Sequence, residues 1–317
     1  MRETLFLNEE FEIKINHFIA NKLNHIFNTP VFFKMHQTER AFYFQLCKKK
    51  SDQVLCTIHF TETSAGLFKS PARGTFGGIT LEENLDIDIY EQFLKTIENY
   101  LYLNGAKTLE IVMPPMCHNE SMFSINYNVM VRSGYIVKNP ELNYALIVDD
   151  NCFYYKINYA NKKRLNKCLR ENFFAQKLET EFYQEAYFVI LENRNRKGFS
   201  FSMSYEDILK MYKAFPDSFL FFGVFKQGVL VASSMCVVIN SAIIYVFAWG
   251  DVDRMQSYSP ITLLAAHIYE YAQKNSFKIM DIGTATSQGE PNLGLIQFKR
   301  NLGCKESLKL TFCKKFN

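Results

Sequence analysis

Two fixed positive charges, Lys299 and Arg300, stand side by side in "GLIQFKRNLG" (Gly294 to Gly303), at the end of a helix-like stretch and just ahead of the last strand-like segment. A helix C-terminus favours a cation by roughly 0.3–1 kcal/mol, so one reading is a charge that complements the dipole. The other is a cation that meets a phosphate or a developing oxyanion. Asp281 closes the strand-like "KIMDI", where a carboxylate can take a proton or a hydrogen bond from an amine. Arg73 stands with three glycines in "SPARGTFGGI" (Ser70 to Ile79), which suits a phosphate or a sugar. No Lys-Ser/Thr follows, so this is not a P-loop, and a glycine-rich hairpin would read the same way. Basic residues also crowd Lys156 to Arg170, six with no acidic residue, and Lys299 to the end, six against the single Glu306. Such runs suit phosphate-bearing ligands and equally suit a solvated helix face.

The 317 residues, 48% hydrophobic and 15% aromatic, are enough for one large or two ordinary domains with a real core. A net charge of +4 names no partner by itself. Eight cysteines are scattered without a CxxC pair or ligand-like spacing to the six histidines. Neither a metal site nor a disulfide framework is expected, and free thiols in this number fit a reducing cytosol. The N-terminus has no apolar stretch after its charges, and no run reaches ~18 apolar residues, so we expect a soluble, cytoplasmic chain without a membrane span. "DIGTATSQGE" lacks the GxGxxG of a dinucleotide site. Cys117 and His118 are merely adjacent, and no nucleophile elbow is present.

The elements that must position these residues occur twice. Asp88 to Asn104 reads as an amphipathic helix followed by the strand Lys107 to Met113; Pro260 to Asn275 reads as a helix with Pro in its first turn, followed by the strand Lys278 to Ile282. Tyr100, Asn104, Lys107 and Glu110 lie 171 residues before Tyr271, Asn275, Lys278 and Asp281. After each strand comes a loop, a short helix ending at a glycine (Gly134, then Gly303) and another strand. Hairpin-like strands precede the main helix in both halves, with Lys226-Gln227-Gly228 as one turn. The expected division is an N-terminal lobe of residues 1–150 and a C-terminal lobe of residues 151–317.

Hairpin strands, then helix, strand, helix, strand is the element order of the GNAT acyltransferase fold, here in tandem. The doubled form resembles the Fem-type (FemAB-like) transferases, which in bacteria move amino acids from aminoacyl-tRNA to an amine on a peptidoglycan precursor. The second half carries the likeness. "FYQEAYFVILENRNRKGF" is similar to the family's run into an Arg-x-Lys-Gly-Phe-type turn, "SPITLLAAHIYEYAQKNSFKIMDIG" to its helix and Asp-x-Gly strand end, and "GLIQFKRNLG" to its Gly-Leu-x-x-Phe-Lys-x-x-x-Gly signature. The first half matches in layout only, and Asn161 to Arg194 is too short for the helical-hairpin insertion of some members.

The resemblance implies an α+β fold of two GNAT-like units with mixed sheets flanked by helices. It implies transfer of an aminoacyl or acyl group to an amine on a phosphate-bearing acceptor. The donor would be aminoacyl-tRNA or acyl-coenzyme A, with no cofactor, metal or DNA required. Donor-carbonyl stabilisation is expected where the central strands splay, at Ala248-Trp249-Gly250, and Arg196 and Lys197, in the turn of "NRNRKGF", would bind phosphate. Arg254, Ser257, Tyr258 and Ser259 occupy the stretch of the GNAT pyrophosphate loop, with serines where its two glycines belong. That replacement argues against coenzyme A, because glycines let the backbone approach a pyrophosphate. Lys299 and Arg300 face Met130 and Val131 when the halves are aligned on their glycines, so these charges belong to one lobe. We therefore expect Lys299 and Asp281 to be catalytic, with Lys299 at the mouth of the second lobe's cleft. An acyl-coenzyme A N-acyltransferase and a non-catalytic binding module on the same fold are the alternatives.

Overall fold

The computed structural model describes residues 2–21, 25–82 and 84–316. In chain order the first elements are β1 (Glu3–Phe6), β2 (Phe11–Ile15), α1 (Pro30–His36), β3 (Ala41–Lys48), β4 (Val54–Ser64), β5 (Leu67–Ser70), β6 (Thr80–Leu81), α2 (Ile87–Leu103), β7 (Thr108–Val112), α3 (Glu120–Arg132) and β8 (Ile136–Ile147). There follow α4 (Phe153–Lys156), α5 (Tyr159–Arg170), β9 (Phe174–Lys177), α6 (Tyr183–Arg196), α7 (Tyr205–Ala214), β10 (Phe219–Lys226), β11 (Val229–Asn240) and β12 (Ile243–Asp251). The last are α8 (Pro260–Lys274), β13 (Ile279–Thr284), the short β14 (Thr286–Ser287) and β15 (Glu290–Pro291), α9 (Leu293–Asn301) and β16 (Lys305–Lys315).

Two compact units form. One comprises Met1–Leu142, Gln288–Glu290 and Ser307–Asn317; the other comprises Asn143–Ser287 and Pro291–Glu306. The sequence repeats, which we propose to divide at residue 150, are a different partition, because the closing strand of the chain belongs to the first unit.

Each unit follows the same plan. In the first, β1 to β5 pair as successive antiparallel neighbours, β5 pairs parallel with β7, and β7 pairs antiparallel with residues 311–315. In the second, β9 to β12 are successive antiparallel neighbours, β12 pairs parallel with β13, and β13 pairs antiparallel with the end of β8. Glu110 and Asp281 hold equivalent registers, Glu110 between Lys69 and Cys313 and Asp281 between Tyr245 and Ala145.

The helices form where apolar spacing and caps coincide. On α2, Ile89, Tyr90, Phe93, Leu94, Ile97 and Leu101 make one buried stripe against Phe44, Phe60 and Phe68. Each fully buried side chain of this kind stabilises by about 1.5–3 kcal/mol. Asn119 caps α3, Ser204 and Asp207 form a reciprocal capping box on α7, and Pro260 opens α8. Among the described residues no helix is long and apolar enough to cross a membrane.

Candidate active site in the second unit

β12 and β13 are paired only at Ile243↔Ile279, Ile244↔Met280 and Tyr245↔Asp281, although β12 runs on to Asp251 and β13 to Thr284. Beyond Tyr245 the two parallel strands part. β12 also carries a bulge: Cys236 faces Val246 and Met235 faces Ala248, leaving Phe247 as the extra residue. A bulge breaks the ladder locally and turns the strand's backbone. A cavity of about 380 Å³ lies along the diverging end of β12, lined by Trp249, Gly250 and Asp251. Asn193 at the end of α6, Lys197 and Phe199 just beyond it, Ser259 and Ile261 at the start of α8, and Leu295 and Phe298 on α9 complete most of the wall. Trp249 meets Phe298 edge-on, ring centres 5.9 Å apart.

The far arm of the opening is fixed by two buried charges. Lys299, 3% exposed, donates from Nζ to the carbonyls of Ile282, Gly283 and Thr284, each at 2.8 Å. Asp281, fully buried, accepts from the Gly283 amide at 2.8 Å and from Asn143 Nδ2 at 2.9 Å. Gly283 has φ +76°, a left-handed turn that suits glycine. The lysine and the carboxylate thus hold the end of β13 in a turn that cannot continue pairing with β12. Burial pushes the Lys299 ammonium down to about 8, with the Asp281 charge opposing the shift. The three carbonyl acceptors favour the charged form as well.

The expected position of Lys299 at the cleft mouth is therefore corrected. All three ammonium hydrogens are engaged by the backbone, and the side chain does not line the cavity. Asp281 is likewise beneath the strand end rather than in the cleft.

No family model and no curated protein matches the chain significantly, but solved structures do. FemX is 11% identical to this chain over 96% of it and 97% of the FemX chain, with a TM-score of 0.74. The chain has the Fem-like tandem GNAT fold. L-PGS from Bacillus licheniformis is similar at 14% identity, 83% of this chain and 82% of that one, TM-score 0.58. A tandem GNAT protein from the clavulanic acid biosynthesis pathway is similar at 9% identity, covering 87% and 82%, TM-score 0.51.

The other expected residues divide sharply within this Fem-like unit. Trp249, Gly250 and Ser259 line the cleft. A Cβ on Gly250 would lie 2.7 Å from Asn193 Cβ and 3.0 Å from Ile190 Cα, so its glycine lets α6 pack on β12. Ser259 sits at φ +55°, keeping the left-handed turn that a loop glycine would adopt, and its hydroxyl is 3.3 Å from Thr262 Oγ1. Ser257 accepts at its carbonyl from Lys167, at 3.4 Å. The Tyr258 ring lies under the ammonium groups of Lys167 and Lys226, at 4.2 and 4.4 Å. Arg254 is exposed on the same loop.

Arg196 is not free for a phosphate: it donates to the Asp251 carbonyl and carboxylate and pairs with Asp253 at 3.3 Å. Arg300 is exposed and pairs with Glu306, which holds the guanidinium charged. Arg73 belongs to the first unit, exposed on a loop rather than a hairpin. The glycines there permit close packing, since a Cβ on Gly77 would meet Pro71 at 2.8 Å.

Sequence reasoning missed Asn193, Asp251 and Phe298 as lining residues. Asn193 reaches Asp251 at 2.6 Å across 58 residues of sequence, a partnership no local pattern announces. Phe298 was visible, since it directly precedes Lys299 in the signature stretch.

Proposed function

We propose that the protein is an acyl or aminoacyltransferase that makes an amide on an amine of a phosphate-bearing acceptor, such as a cell-wall precursor. The observation that carries this reading is the parting of β12 from β13 together with a cavity lined by the last residues of β12, past its bulge. Backbone amides released from a ladder are suited to a donor carbonyl that becomes an oxyanion. In the reaction the acceptor nitrogen attacks the donor carbonyl carbon. The C–N bond forms as the ester or thioester bond breaks, and the amine's proton passes to the leaving oxygen or sulfur. Trp249 and Phe298 exclude water from one wall, and Lys197 and Arg254 supply positive charge for the donor's phosphates. Lys299 and Asp281 act by holding the opening apart, as positioning residues.

An acyl-coenzyme A donor is the second reading, and Ser259 favours it specifically. Its left-handed backbone is one that a glycine of a pyrophosphate loop would also adopt, although the side chain differs. The test is a mass-spectrometric transfer assay in which aminoacyl-tRNAs and acyl-coenzyme A thioesters are each offered with nucleotide-linked muropeptides and simple diamines. Amide product from an aminoacyl-tRNA supports the first reading and product from a thioester the second. No product from any pair would leave a binding module.

A further inference from the structure

The transfer reading leaves the donor's acyl group undefined, and the chemistry of the cleft narrows it. The walls are apolar and partly aromatic at Phe199, Trp249, Ile261, Leu295 and Phe298. Among the lining residues Asp251 is the single acidic one, and it is 8% exposed. Asn193 and Arg196 both donate to its Oδ1, at 2.6 and 3.2 Å, and no side chain among the described residues donates to its Oδ2. Burial pushes this carboxyl above its ordinary range, with Lys197 and Arg196 opposing the shift. A carboxylate held through Oδ1 by Asn193 and Arg196 keeps acceptor capacity in a half-apolar cleft, and a ligand that brings one cation beside an apolar body matches it.

We infer that the cleft takes an aminoacyl group with a bulky apolar or aromatic side chain, its α-ammonium on Asp251 and its side chain against Trp249 and Phe298. This rests on the transfer reading and adds its substrate class. A plain fatty or acetyl group would bring no donor to the Asp251 carboxylate. A second side-chain cation would find no second carboxylate in the lining and would meet Lys197 instead. The volume of about 380 Å³ is near the lower end of small-molecule pockets, about 300–1,000 Å³. It accommodates one side chain with its carbonyl.

Calorimetric titration of the full chain with small amides tests this without any transfer step. L-phenylalaninamide and L-leucinamide are expected to bind at least tenfold more tightly than 3-phenylpropionamide, which lacks the ammonium, and than L-lysinamide. Asp251→Asn should abolish the ammonium preference, and Trp249→Ala should weaken the aromatic amide at least fivefold. The comparison of amides on the unaltered chain stands even where Asp251→Asn perturbs the Arg196 contacts. Equal affinity for 3-phenylpropionamide, or tighter binding of L-lysinamide, overturns the inference. Absence of amide binding in a protein that does transfer acyl groups overturns it and leaves the transfer reading intact. The expected binding order in a protein that transfers nothing upholds it and removes the transfer reading.

Discussion

Replacing Lys299 by Met keeps the apolar stem and removes the ammonium. Three carbonyls, those of Ile282, Gly283 and Thr284, then lose a charged donor in a buried place, and Asp281 loses the cation that offsets its charge. Hydrogen bonds to charged groups contribute about 1.5–3 kcal/mol each. Their sum is not additive here, because the carbonyls share one donor. Two such bonds' worth, about 3–5 kcal/mol, is the expected loss. For a domain of this size, 1 kcal/mol moves the melting temperature by roughly 2–4 °C, so the loss should be roughly 6–20 °C. Trp249 is the chain's single tryptophan, and its emission reports on the cleft. It should shift to the red as the arm of β13 relaxes and the Phe298 contact loosens. Lys299→Arg should rescue little, because a planar guanidinium cannot direct three donors to one cluster of carbonyls. A Lys299→Met protein that melts within 2 °C of wild type with unchanged emission would refute the clamp. It would return Lys299 to the catalytic role read from sequence, in which the charge matters to rate and not to folding.

Three further outcomes follow. Acetyl-coenzyme A should bind weakly to the wild type, and Ser257→Gly with Ser259→Gly should strengthen it at least tenfold by calorimetry; an unchanged affinity would show that the serines are not the obstacle. His25 and His59 are buried in the first unit, and burial lowers them to about 3 and about 4. Both are neutral in either state above the unfolded value near 6.5, so their effect is absent there. As pH falls below it the unfolded chain takes up protons that the folded chain refuses, and stability drops by up to ~2.7 kcal/mol per pH unit between about 6 and 4. Denaturant melts of His25→Phe should show a shallower acid slope than wild type, and an identical slope would exclude this linkage. Arg300→Ala should leave the denaturant midpoint unchanged within error, since an exposed pair with Glu306 is screened by water; a clear drop in the midpoint would mean that the pair is structural.

The architecture was legible because each half repeats the same periodicities with nearly constant spacing. Pro260 and the two glycines, Gly134 and Gly303, mark helix ends for local steric reasons that sequence alone carries. The cleft was half legible. Trp249 and Gly250 were placed from strand order, but the bulge at Phe247 has no glycine or proline to announce it. The burial of Lys299 was not legible, because charge type and position cannot tell a cation facing solvent from one turned beneath its strand. That choice is made by the carbonyls of residues 282–284, which become acceptors only once Gly283 adopts its left-handed turn. Arg196 failed similarly: its partners Asp251 and Asp253 lie more than fifty residues away. In the first half, Arg73 stood out only by its neighbouring glycines, which serve packing.

We propose the opening between β12 and β13 as the place where an acyl carbonyl is attacked. The most direct test of this claim is the steady-state rate of amide formation by wild type and Trp249→Ala, measured by mass spectrometry with the preferred donor and acceptor. We predict a fall of at least tenfold in kcat/KM for Trp249→Ala, with a melting temperature within about 5 °C of wild type. Amide formation at the wild-type rate in Trp249→Ala would contradict the claim and place the chemistry elsewhere on the chain.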